Sequence, residues 1–147
     1  MSQPSNEHIE DVLAQDGVWI STTVGISMWP MLRNRRDTIV VRPCKSQLQK
    51  YDVALYRRGD AYVLHRVIGV KENSYRILGD NCRADECVPK SAVIGKLDEF
   101  WRGDKHCNPR SHTWLAYARV WLAIWPLRRF VSRARAAVNK VAKAVRR

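Results

Sequence analysis

The chain has 147 residues, about one domain's worth, and its hydrophobic fraction of 46% excludes a disordered polypeptide. Its formal charge of +12 is unevenly placed: residues 1–104 hold 15 Lys/Arg against 14 Asp/Glu, whereas residues 105–147 hold 11 Lys/Arg and no acid. The basicity belongs to the C-terminal segment, suits a phosphate-bearing surface such as anionic lipid or nucleic acid, and says little about the rest.

In chain order, Met1–Gly17 is polar, with neither the basic start nor the apolar stretch of a signal peptide. Within it Ser5–Gln15 is predicted as a short helix, with Ser5 as N-cap, Ile9, Val12 and Leu13 on one face and Gly17 as the stop. Short apolar, β-branched runs follow at Val18–Val24, Thr38–Arg42, Tyr51–Tyr56, Ala61–Val70, Ser74–Leu78 and Ala92–Phe100. They are punctuated by Pro43 and by the Arg57-Arg58-Gly59-Asp60 turn. Strands of this length and spacing predict a mainly β fold, an antiparallel sheet or partly closed barrel. Gly103–Arg110 is expected to be a loop, and Thr113–Arg147 a helix that Pro126 breaks or kinks. The domain boundary is placed between residues 104 and 105. No run of about 20 apolar residues occurs, so no membrane span is expected. Cys44, Cys82, Cys87 and Cys107 match no paired zinc-ligand spacing; they are either four free thiols or include a Cys82–Cys87 bridge.

A series of five segments carries residues suited to acyl transfer. Ser27 lies in Gly25-Ile-Ser-Met-Trp-Pro30, after a strand and a glycine, with Pro30 forcing a bend. A serine hydroxyl becomes a nucleophile only beside a base. His65, in Leu64-His-Arg-Val-Ile68, is the natural base, because imidazole titrates near pH 6.5. Asp80, in Leu78-Gly-Asp-Asn81, and Asp85 beyond it are candidates to orient the imidazole, Asp80 being preferred. Tyr51-Asp-Val-Ala-Leu-Tyr56 and Val93-Ile-Gly95-Lys96 complete the series. Taken singly, each has an ordinary structural alternative: a turn serine, a half-buried strand histidine, an Asp bonding its own backbone.

The joint order of these boxes over Val18–Phe100 resembles the signal peptidase I family and the wider LexA-like serine peptidases. Histidine stands where bacterial-type and LexA-like members carry lysine, which looks like the endoplasmic-reticulum and archaeal branch. The resemblance implies a β-rich coil of antiparallel strands, with Ser27 as nucleophile, His65 as general base, and Asp80 or Asp85 assisting. It also implies an extended peptide substrate, a leader or signal peptide for example, bound by strand addition, with Gly25, Met28 and Pro30 of the serine box beside it. No metal or cofactor is implied. Gly25 stands where some relatives carry a hydroxyl, so the oxyanion hole is expected to use backbone N–H groups such as that of Ser27.

The Trp-rich, basic segment 113–147 is either an amphipathic helix on an anionic membrane or a helix packed on the sheet with a solvated end. A cytoplasmic location follows as the expectation, with peripheral contact on the inner face of the membrane if the first alternative holds. Two rival functions stand beside the peptidase: a LexA-like self-cleaving regulator, which would need a DNA-binding part, and a non-catalytic lipid- or nucleic-acid-binding protein on a peptidase fold.

Overall fold

A computed structural model describes residues 8–145. It shows a mixed α/β fold: a curved, wholly antiparallel eight-stranded sheet with three helices. The strands are β1 (Trp19–Thr22), β2 (Asp37–Arg42), β3 (Val53–Arg58), β4 (Ala61–Val70), β5 (Ser74–Leu78), β6 (Glu86–Pro89), β7 (Val93–Arg102) and β8 (Lys105–Cys107). Their order across the sheet is β1-β2-β7-β3-β4-β5-β6, with β8 beside the end of β7. Register shifts in the β2–β7, β3–β7 and β4–β5 pairings mark where strands bend.

β3 is buried from Val53 to Tyr56 because both its faces are covered. Val53 and Leu55 point into a core with Met28, Met31, Val41 and Phe100, while Ala54 and Tyr56 point into another with Leu48, Val67, Tyr75 and Ile77. This is the period-2 alternation of a strand, resolved into two apolar sides instead of one. Helix α1 (Ile9–Asp16) lies on the first core through Leu13 and Ile9. His8 is its N-cap and Gly17, at φ +68°, its C-terminal stop; the expected cap Ser5 lies outside the described residues.

Two strands differ from expectation. β6 occupies a segment where no strand was expected, and β8 falls within the predicted 103–110 loop. The single C-terminal helix is two, α2 (His112–Ala123) and α3 (Trp125–Val145), parted at Ile124 so that Pro126 sits in the first turn of α3, where its missing N–H costs nothing. β8 pairs with β7, and Trp114 and Tyr117 of α2 pack on the first core, so residues beyond 104 help to build the sheet side. All four cysteines are free thiols. No helix among the described residues is long and apolar enough to cross a membrane.

Candidate active site

Ser27 sits in the loop between β1 and β2, which is fastened at both ends. Thr23 Oγ1 donates to the Arg33 carbonyl at 2.6 Å, the Gly25 N–H to Asn34 Oδ1 at 2.9 Å, and the Arg33 N–H to the wholly buried Asp37 carboxylate at 2.7 Å. Gly25 has φ +95°, a conformation that side chains resist, and it allows the turn into the serine. Met28, Met31 and Leu32 then drop into the core as anchors, leaving Ser27 half-buried at the rim. The Ser27 N–H has no hydrogen-bond acceptor among the described residues.

His65 is buried on β4 opposite Ala54. Ser27 and His65 line one cleft of about 540 Å³, together with Gly25, Met28, Leu55, Tyr62 and Cys82 among others. Its walls are β1, at the edge of the sheet, and the first half of β4, whose outer edge is unpaired because β5 joins only from Arg66 onward. Pro30, expected beside the substrate, is not part of this lining, and Met28 contributes to it from a nearly closed position in the core.

The turn after β5 closes the site. The Asn81 N–H donates to the Ser27 carbonyl at 2.8 Å, and the Cys82 N–H to the Gly79 carbonyl at 2.8 Å. A Cβ on Gly79 would stand 2.9 Å from both His65 Nε2 and the Ser27 carbonyl oxygen and 2.5 Å from Cys82 Sγ. Gly79 is therefore the point where serine loop, histidine strand and turn converge, and it leaves room for nothing larger than hydrogen. Among the described residues no hydrogen bond joins Ser27 Oγ to His65; the polar atom beside Nε2 is Cys82 Sγ, at 4.0 Å.

The other ring nitrogen meets Tyr56 and Glu86, not Asp80 or Asp85. Nδ1 lies 3.1 Å from Tyr56 Oη and 3.6 Å from Glu86 Oε1. The Tyr56 hydroxyl donates its proton to Glu86, which also holds Arg58. With that proton committed, the phenol oxygen faces His65 as an acceptor, so Nδ1 carries the hydrogen and Nε2 keeps a lone pair toward the cleft. Burial lowers the His65 pKa below its ordinary value, against the opposing pull of the Glu86 charge, so the ring is neutral at pH 7. Glu86 is held below the usual glutamate range because hydrogen bonds from Tyr56 and Arg58 outweigh its partial burial.

Asp80 and Asp85 do other work. The Asp80 carboxylate takes two 2.7 Å bonds from the Arg66 guanidinium and one of 2.9 Å from Tyr117 Oη, and both charged side chains of the pair are only 3% exposed. Its backbone carbonyl accepts from Trp121 Nε1 at 2.8 Å and Arg128 Nη2 at 2.6 Å, and Trp125 Nε1 reaches the Cys82 carbonyl at 3.1 Å. Asp80 is thus a structural node joining β4, α2 and α3, with its oxygens spent. Asp85 pairs with Arg76 at the surface, and this pairing holds its pKa low. Glu86 went unnoticed in the sequence, although Tyr56-x-Arg58 and Val63-x-His65 have the two-residue spacing that puts partners on one face of neighbouring strands.

No family model matches the chain, and no curated protein matches its sequence significantly.

Proposed function

We propose that the protein is a serine endopeptidase that cuts an extended peptide, with Ser27 as nucleophile and His65 as general base. The observation that carries this reading is the shared cleft, in which Ser27 and a neutral His65, with its Nε2 lone pair toward the cleft, converge at Gly79. Substrate enters as a strand between the open edges of β1 and β4, satisfying backbone groups that the sheet leaves unpaired. Ser27 Oγ turns to His65 Nε2 as the substrate seats, loses its proton to that nitrogen, and bonds to the scissile carbonyl carbon. The oxyanion is met by the Ser27 N–H. As the C–N bond breaks, the imidazolium returns the proton to the leaving amine; water, deprotonated by the same nitrogen, then releases the acyl group. Tyr56 and Glu86 stabilise the transient imidazolium through Nδ1, the part expected of Asp80 from sequence. The order of the sequence boxes supports the signal-peptidase type, and a leader or signal peptide is the substrate class proposed.

A second reading makes Cys82 the nucleophile, since its Sγ lies 4.0 Å from Nε2. Burial raises the thiol's pKa, which disfavours the thiolate that cysteine catalysis needs. The experiment is cleavage of a peptide pool with small residues at varied positions by wild type, Ser27→Ala, His65→Ala and Cys82→Ser, with folding checked by circular dichroism. Loss in the first two variants and retention in Cys82→Ser is expected. Activity surviving in Ser27→Ala, or abolished in Cys82→Ser alone, overturns the assignment.

A further inference from the structure

The aromatic side chains of the basic segment divide at Ile124. Trp114 and Tyr117 are spent on the core, and Trp121 and Trp125 on the carbonyls of the 80–82 turn, so of the two alternatives the tryptophan face takes the one packed on the fold. Beyond it, no residue of α3 is fully buried. Leu127, Phe130, Val138, Val141 and Val145 are 64%, 69%, 66%, 63% and 81% exposed. At about 100° per residue, Leu127, Phe130, Val131, Ala134, Val138, Val141 and Val145 fall within one arc, and Arg128, Arg129, Arg133, Arg135, Lys140 and Lys143 occupy the rest. The helix has no acid. Its 21 residues extend about 31 Å, a long apolar stripe that nothing among the described residues covers.

We propose that α3 is an interfacial helix that lies on an anionic lipid bilayer, its apolar arc in the acyl boundary and its arginines and lysines on lipid phosphates. Charge complementarity selects this occupant. A second copy of α3 would bring a like row of cations against each flank with no carboxylate to relieve them. Duplex nucleic acid would engage the cations but leave Leu127, Phe130, Val138 and Val141 in water. A groove of about 560 Å³ beside the helix gathers further cations: Arg83, Arg128 and Arg135 line it beside Leu127 and Val131, without any carboxylate. Arg128 Nη1 there is buried with no hydrogen-bond partner among the described residues. Because Trp125 and Arg128 also hold the 80–82 turn, docking of α3 fixes the cleft relative to the bilayer surface.

The test is flotation of the full chain with vesicles of phosphatidylcholine alone and of phosphatidylcholine mixed with phosphatidylglycerol, at low and at raised salt. Binding to the mixed vesicles that weakens with salt is expected. The Val138→Asp/Val141→Asp protein should bind at least about tenfold more weakly, and Arg133→Gln about fivefold more weakly; exposed positions leave the melting temperature unchanged. Equal binding to both vesicle types, wild-type binding by the double variant, or binding to duplex DNA without binding to vesicles would each overturn the proposal. Ser27→Ala protein should float like wild type, so this outcome is read separately from the peptidase assignment.

Discussion

Asp80 and Glu86 both act on His65 through their charge, yet the fold holds them in different ways. Asp80 is sealed with Arg66, its oxygens filled by β4 and α2 and its carbonyl by α2 and α3. Glu86 is half-buried on a four-residue strand, bonded to Tyr56 and Arg58, with its oxygen near Nδ1. The first arrangement resists any movement of charge, because removing either member leaves an ion stranded in an apolar surround. The second remains open enough to respond when His65 takes a proton. A buried carboxylate near a histidine is therefore not by that fact its partner; where its lone pairs go decides.

Substitutions can break this contrast in graded steps. Asp80→Asn strands Arg66 and should cost about 3–5 kcal/mol, lowering the melting temperature on the order of 10 °C, with activity lost only as far as folding is lost. Differential scanning calorimetry beside the cleavage rate reads both. Gly79→Ala comes next. Its methyl group meets His65 Nε2, Cys82 Sγ and the Ser27 carbonyl, and forcing them apart should cost about 1–3 kcal/mol while abolishing cleavage; full activity in this variant would mean that the convergence point is not the reacting centre.

Glu86→Gln should leave stability within about 1 kcal/mol but slow cleavage on the order of 100-fold. It carries a sharper sign as well. The Glu86 charge raises the His65 pKa, so its removal should move the acid limb of the pH–rate profile to lower pH, whereas a merely structural role would leave the limb in place. In wild type that limb should already lie below the ordinary histidine value, because burial depresses the pKa. The same depression means His65 contributes stability above about pH 6.5, lost as pH falls through its folded value. Asp85→Asn is the smallest step: its pair with Arg76 lies at the surface, and melting temperature and cleavage rate should both stay near wild type, a change under about 0.5 kcal/mol.

The sheet was readable where residues paid for their own burial. β2, β3, β4, β5 and β7 follow apolar runs bounded by Pro43 and Gly59-Asp60, and the structure places their ends within about two residues of expectation. β6 and β8 were not readable, since Glu-Cys-Val-Pro and Lys-His-Cys each bury one side chain, Val88 and Cys107, and exist because a neighbour offers an edge. The site followed the same rule. Ser27 and His65 stood out by residue type, and they line one cleft. Glu86 was hidden because its position depends on the pairing of Ile77 with Glu86, a register that local pattern does not encode. One residue earlier, Asp85 falls off the strand and faces Arg76 instead.

The central place of β7 also sets an order of events during synthesis. β7 pairs with β2 on one side and β3 on the other, so the two halves of the sheet stay unjoined until residues 93–102 have emerged. The turn beside His65 acquires its braces later still, from Trp121, Trp125 and Arg128. At about 5–20 residues per second of translation, the nascent chain spends seconds with strand edges exposed and no assembled cleft. Such non-local closure folds slowly, and it delays assembly of the cleft until the residues through Arg128 have been made.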